Sequence, residues 1–99
     1  LLADAMTQVE AAWALTRSAA ERLDAGQPAL REITMAKLFA AETLASVANT
    51  GMQVTGATGY SMEFDMQRYF RDARAATVAA GSSQMQRNLI AGLMGLKVK

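Results

Sequence analysis

The sequence contains no cysteine and no histidine. Without cysteine, a disulfide framework, a thiolate nucleophile and a cysteine-ligated zinc site are excluded. Without histidine, a Ser-His-Asp triad and an imidazole metal ligand are excluded as well. The sequence contains ten Lys and Arg residues and nine Asp and Glu residues, so its net charge is +1. This charge gives no electrostatic argument for binding of nucleic acid. We therefore predict no metal site and no nucleic-acid partner.

The sequence also lacks a hydrophobic run that could cross a membrane. Residues 43–62 carry no charge and are long enough for a span. They nevertheless contain Asn, Gln, Thr and several Gly residues, which makes the stretch too polar for a bilayer core. We predict a buried helix that runs into a polar loop, and no membrane partner.

Only one proline occurs, whereas alanine occupies 21 of the 99 positions, and both favour helix. The first helix is predicted to end near residues 24–26, with Gly26 in the left-handed cap conformation. A second helix should run from about Pro28 to about Thr55, apolar nearly all round and therefore buried at the centre of a bundle. The contact face of the first helix is predicted to be a seam with spacings of three and four: Leu2, Met6, Val9, Trp13, Thr16, Ala20 and Leu23.

Two later breaks predict two further helices. Residues 56–59 are expected to form a loop, followed by a third helix with Ser61 as its N-cap. Residues 79–83 form the second break, and Ser83 with Gln86 fits a capping box that opens a fourth helix to about residue 96. No segment alternates like a strand. The sequence therefore predicts one all-α domain over residues 1–99, a four-helix up-down bundle.

The two breaks are also the candidate binding segments. The first, residues 53–60, combines glycines with Gln and two Thr, which suits a polar ligand or a close backbone approach. The second, residues 81–84, places uncharged donors at a helix N-terminus. On these residues alone, a plain helix-to-helix turn and a plain capping motif remain open as alternatives.

A spaced motif connects the two segments. It reads Gln53-x-x-Gly56-Ala57-x-Gly59-Tyr60-x-x-Glu63-x4-Arg68-x-x-Arg71-Asp72, then Ala73-Arg74, and later Gly81-Ser82-Ser83-Gln84-Met85-Gln86-Arg87. This pattern resembles the C-terminal helical domain of the acyl-CoA dehydrogenases. Ala57 departs from the family, which usually has a second glycine at that position.

The resemblance implies an oxidoreductase with FAD as cofactor and acyl-CoA as substrate. It further implies an electron-transfer flavoprotein as acceptor and a homo-oligomer, either a dimer or a tetramer. The FAD-contacting positions that it implies are Gln53, Val54, Thr55, Gly56 and Ala57, usually from the neighbouring subunit, together with Ser82, Ser83 and Gln84. Gly81 matches a position that lines the thioester site. The implied location is the cytoplasm, or the mitochondrial matrix in a eukaryote.

The resemblance assigns no catalytic residue to this chain. Many family members carry a Glu base directly before the Gly of the last loop, where this chain has Ala80. Isovaleryl-type members resemble it in this respect and carry their Glu on an earlier helix. We therefore expect a fragment that lacks the first helix of its bundle and is inactive alone. The alternatives are a non-catalytic acyl-CoA dehydrogenase-like subunit and a helical assembly module without a ligand.

Overall fold

The computed structural model describes residues 1–96, which form four α-helices and no strand. The helices are α1 (Leu2–Asp24), α2 (Leu30–Tyr60), α3 (Met66–Ala75) and α4 (Ser83–Leu93). The other three helices all pack against α2, and within residues 1–96 they do not contact one another. The predicted all-α fold is confirmed, and residues 97–99 of the predicted domain lie outside the described part.

The hairpin between α1 and α2 follows the prediction closely. Gly26 adopts a φ of +71°, the left-handed conformation expected at the end of α1. Arg22 bridges the turn, because its guanidinium donates to the Pro28 carbonyl oxygen at 3.0 and 3.2 Å. Further along, Ser46 Oγ donates to Gln8 Oε1 at 3.3 Å, so α1 and α2 run antiparallel.

The predicted contact face of α1 is wrong. The residue of α1 that is buried against α2 is Ala19, and Ala5 and Ala12, seven residues apart on the same face, are half-buried. Trp13 of the predicted seam is 58% exposed, and Leu2 is 68% exposed. Alanine allows two helix axes to approach more closely than large side chains do. The seam therefore lies at the edge of the contact, where Trp13 and Leu44 of α2 line an open groove.

The prediction that α2 is buried nearly all round is also wrong for this part of the chain. Its buried residues are small and lie where other helices cross it: Thr34, Ala36, Ala41, Thr43, Ala48 and Gly59. Its large side chains are partly exposed, Leu44 at 50% and Val54 at 51%. Three partners cover only part of the circumference of a helix, which leaves an apolar surface open.

The connection between α2 and α3 differs from the predicted loop. Gly56 breaks the helix with a φ of +62° and a ψ of −146°, but the chain then resumes helical turns as far as Tyr60. Ser61 is extended, and its Oγ accepts a hydrogen bond from the N–H of Glu63 at 3.2 Å. This bond closes a local turn in place of a helix cap. The third helix therefore begins at Met66, five residues after the predicted Ser61 cap.

Glu32 lies in the first turn of α2, and its pKa is lowered there. The main cause is a backbone hydrogen bond to its carboxylate, to which Arg31 adds a contact at 3.1 Å and Arg22 one at 3.5 Å. A carboxyl group whose pKa is lowered by folding stabilises the fold above its unfolded pKa. That stabilisation is lost as the pH falls through the folded pKa.

We therefore expect Glu32→Gln to lower the free energy of unfolding at pH 7. The difference from wild type should begin to shrink below about pH 4.5 and be lost as the pH falls through the lower folded pKa. Urea unfolding at several pH values measures this difference. Arg31→Gln, which removes one of the two cations, should give a smaller change in the same direction. Parallel pH profiles for wild type and Glu32→Gln would contradict the prediction.

Candidate functional site

The turn before α4 contains the second predicted segment. Ser82 is extended, and its Oγ accepts a hydrogen bond from the N–H of Met85 at 3.2 Å, so Ser82 caps the helix. The predicted capping box of Ser83 and Gln86 is therefore wrong by one residue. Ser83 is already helical and buried, whereas Gln84 is exposed.

Ser83 lines a cleft of about 330 Å³ beside α4. Its Oγ is buried and has no hydrogen-bond partner among the described residues. Two arginines line the same cleft: Arg87 lies 2.5 Å from Glu42 Oε1, and Arg74 Nη1 donates to Thr77 Oγ1 at 3.0 Å. Glu42 is thus engaged in an ion pair between α2 and α4, an arrangement typical of a structural role. Gly81 is held at Lys37 and Arg87 at Glu42, so α4 runs parallel to α2, as the predicted up-down order requires.

Gly81 has the backbone conformation that only glycine adopts readily. Its φ is +94°, and an added Cβ would collide with the side-chain amide nitrogen of Gln86. The preceding residue, Ala80, has a φ of +54°, an unusual value for a residue with a side chain. The last loop therefore turns through two consecutive left-handed residues directly before the helix cap.

Ala80→Gly is expected to stabilise the chain. The left-handed conformation costs an L-residue roughly 1–2 kcal/mol, which exceeds the extra entropy that glycine loses on folding, so the free energy of unfolding should rise by about 0.5–1 kcal/mol. Ala79→Gly is the matched control, because Ala79 is also exposed but is not a positive-φ residue. Urea unfolding that shows the same change for both variants would contradict this explanation.

The sequence analysis missed Lys37, which holds this loop against α2. Its ammonium group donates to the carbonyl oxygens of Ala76 at 2.9 Å and Gly81 at 2.6 Å. Gln86 was assigned to the predicted capping box, but its side chain lies over the Cα of Gly81. The one available signal for the Lys37 contacts was the presence of a single lysine on an otherwise largely apolar helix.

The first predicted segment lies in the last turns of α2. Gln53, Val54, Thr55, Gly56 and Ala57 are all exposed. Thr55 Oγ1 donates to the Gly51 carbonyl oxygen at 2.8 Å, so this hydroxyl is engaged within the helix. The side-chain amide of Gln53 and the backbone around the Gly56 break lie on the surface. This surface is open to a polar ligand or to another chain.

The two segments do not come together within one chain. Lys37 marks the level of α2 at which Gly81 is held, and Gly56 lies 19 residues further along the same helix. At a rise of 1.5 Å per residue, the two positions are about 28 Å apart along the axis. The predicted binding residues therefore form two separate surfaces near opposite ends of α2.

Within the described residues, no group of three or more acidic side chains is arranged to hold a metal ion. No helix in residues 1–96 combines the length and the hydropathy needed to cross a membrane.

The family model described as "Acyl-CoA dehydrogenase, C-terminal domain" matches residues 1–94. The chain is 43% identical to the 3-sulfinopropanoyl-CoA desulfinase of Variovorax paradoxus, over 99% of this chain and 25% of that protein. It is 40% identical to the mitochondrial short/branched chain specific acyl-CoA dehydrogenase of Bos taurus, over 86% of this chain and 20% of that protein.

Its fold is similar to that of a chain in a solved structure from work on the electron transferring flavoprotein of Acidaminococcus fermentans and flavin-based electron bifurcation. The TM-score is 0.90 at 30% identity, and the match covers 93% of this chain and 24% of that chain. The described chain thus spans a fifth to a quarter of the length of these relatives. With its four helices in up-down order and the family model matched over nearly its whole length, the chain belongs to the C-terminal domain family of the acyl-CoA dehydrogenases.

Proposed function

We propose that this chain is the C-terminal bundle of an FAD-dependent acyl-CoA dehydrogenase that introduces an α,β double bond into an acyl-CoA thioester. The observation that carries the proposal is the family match over residues 1–94, which includes both binding segments. An electron-transfer flavoprotein is the proposed electron acceptor. The similarity to a chain from work on such a flavoprotein supports this choice.

The residues at the start of α4 fit a flavin. Ser83 offers a buried hydroxyl without a partner among the described residues, and Gln84 offers an exposed side-chain amide. The first-turn amides of α4 favour electronegative groups. A bound flavin would be the acceptor of the hydride. We assign flavin contacts to Ser82, Ser83 and Gln84 and a thioester contact to Gly81.

The second flavin surface belongs to Gln53, Val54, Thr55, Gly56 and Ala57 in this proposal. Because it lies about 28 Å from the Gly81 turn along α2, we assign the two surfaces to two different flavins. Each flavin would then lie between two copies of the protein, with the open break at Gly56 facing the adenosine diphosphate part. A homo-oligomer follows from this arrangement. The partly exposed Leu44 and Trp13 provide apolar surface for association.

The chain alone is expected to be colourless after purification and to associate, most simply as a dimer. It supplies one side of each composite pocket, whereas tight ligand binding normally takes a largely enclosed site. Gel filtration with absorbance near the flavin bands tests the first expectation, and sedimentation at tens of micromolar tests the second. A retained stoichiometric yellow chromophore, or a clean monomer, would contradict the composite site.

The experiment that tests the function is anaerobic bleaching of the flavin in the full-length protein by a panel of acyl-CoA thioesters. The dehydrogenase proposal requires a carboxylate base outside this chain, because Ala80 cannot accept a proton. Glu42→Gln and Glu63→Gln should therefore keep the rate of bleaching within about tenfold of wild type, whereas loss of a true base costs on the order of 10²–10⁴. Abolished bleaching in Glu63→Gln, with FAD content and folding intact, would refute this assignment.

Ala80 itself favours a second candidate, a flavin-binding family member that does not dehydrogenate. The similarity to a protein named as a desulfinase also supports a broader range of reactions on this scaffold. A wild-type protein that holds FAD but is bleached by no thioester would support this second candidate over the first.

A further inference from the structure

Lys37 makes the only side-chain hydrogen bonds that connect α2 to the loop between α3 and α4 in the described residues. It lies in the second turn of α2 and is half-buried. Its ammonium group has three donors and a compact, strongly localised charge. Two of these donors are satisfied by the carbonyl oxygens of Ala76 and Gly81, at 2.9 and 2.6 Å.

These two carbonyl groups bracket the whole turn. Ala76 follows the last residue of α3, and Gly81 precedes the Ser82 cap of α4. Between them the chain passes through the left-handed Ala80. One further bond closes the turn on itself, from the N–H of Ser83 to the carbonyl oxygen of Thr77 at 2.9 Å. A strained turn persists only where its surroundings determine its conformation, and Lys37 supplies that constraint from a different helix.

The ammonium group also acts on the peptide bond that it contacts. In a planar trans peptide the N–H points away from the C=O, so the N–H of Ser82 faces away from Lys37 and from α2. A cation at the carbonyl oxygen of Gly81 polarises this peptide and makes the N–H of Ser82 a stronger donor. Among residues 1–96, no backbone group accepts a bond from that N–H.

We propose that Lys37 is a positioning residue. It anchors the loop between Ala76 and Gly81, and it holds the Gly81–Ser82 peptide with the Ser82 N–H directed outward to the flavin. The anchoring follows from the contacts of this chain, whereas the flavin as recipient rests on the proposed function. Lys37 touches neither reacting atoms nor cofactor in this proposal, and its effect is exerted through Gly81 and Ser82.

The anchoring is tested on the chain itself by Lys37→Met, which keeps the aliphatic stem and removes the charged donor. The exchange rate of the Ser83 amide hydrogen, read by NMR, should rise at least about tenfold, because hydrogen bonds from a charged donor are stronger than neutral ones. Arg31→Met is the matched control, since it removes an exposed cation from the same helix. Its Ser83 exchange should stay within about twofold of wild type, as expected for a surface cation.

Global destabilisation is separated from local release by the amides of α1, a helix that contacts neither α3 nor α4. Faster exchange confined to residues 76–84 supports the anchoring. Unchanged Ser83 exchange in Lys37→Met, or a uniform increase that includes α1, would overturn it.

The positioning effect is tested in the full-length holoprotein with FAD as the probe. Lys37→Met should raise the Kd for FAD about tenfold and shift the flavin absorbance bands, and Lys37→Arg, which retains a cation, should recover part of both changes. An unchanged Kd and spectrum, despite faster Ser83 exchange, would overturn the positioning role. If the wild-type protein binds no FAD, the proposed function fails, and the exchange measurement alone decides the anchoring.

Discussion

Gly81→Val is expected to slow reduction of the flavin by acyl-CoA by about 10²-fold in the full-length protein, because a displacement of about 1 Å near reacting groups has an effect of this size. The backbone at Gly81 has a φ of +94°, which a β-branched residue does not tolerate. Any Cβ there would also collide with the side-chain amide of Gln86. The Gln86 side chain can shift aside, but the backbone must leave this φ, so the turn moves and carries the Ser82 cap and the proposed thioester contact with it.

Gly92→Val is the control for this prediction. Gly92 lies in the exposed part of α4, has ordinary helical geometry, and an added Cβ meets no atom within 4 Å. Flavin reduction should remain near the wild-type rate. Stopped-flow bleaching under anaerobic conditions measures both rates, and circular dichroism checks that the helices remain. Equal rates for the two variants would show that the Gly81 turn does not position the substrate.

Ala19→Leu is expected to lower the free energy of unfolding of the chain by about 1–3 kcal/mol, the usual cost of overpacking a tight contact. Ala19 is 4% exposed and lies where α1 meets α2. Three additional carbon atoms require the two helices to separate, which also weakens the neighbouring half-buried Ala12 contact. For a small domain of marginal stability, this change is a large fraction of the total.

The adjacent residue provides a sharp comparison. Ala20 belongs to the apolar seam predicted from spacing but is exposed in the structure. Ala20→Leu should change stability by no more than about 0.5 kcal/mol, as is usual for surface substitutions. Urea midpoints for the two variants thus decide which face of α1 meets α2. A destabilising Ala20→Leu with a neutral Ala19→Leu would favour the seam predicted from the sequence.

The fold could be predicted from the sequence where a signal is local. The end of α1 followed from Gly26, whose side-chain-free backbone stops the helix. The face of α1 could not be predicted in the same way. Spacing identifies an apolar stripe, but it does not say which partner covers the stripe. The close approach of α1 and α2 selected the alanines Ala12 and Ala19 for the contact.

The candidate site, too, could be predicted from the sequence only in part. The motif from Gln53 to Arg87 predicted the family, and the family model confirms it over residues 1–94. The roles of the individual FAD-contacting residues remain proposals. The cap was misplaced by one residue, because Ser82 and Ser83 are the same residue type and only backbone geometry distinguishes them. The contacts of Lys37 could not be predicted, since its two acceptors are backbone carbonyl groups, which leave no trace in the side-chain pattern.

The interior of this chain is built from alanine, threonine, serine and glycine, and no large side chain in the described residues is fully buried. An alanine scan of the isolated chain would therefore find few sensitive positions, because the innermost residues have little or nothing to remove. The same scan in an assembled oligomer would respond at the large exposed side chains, among them Leu44 and Trp13. The difference between the two scans would map, residue by residue, the surface that assembly covers.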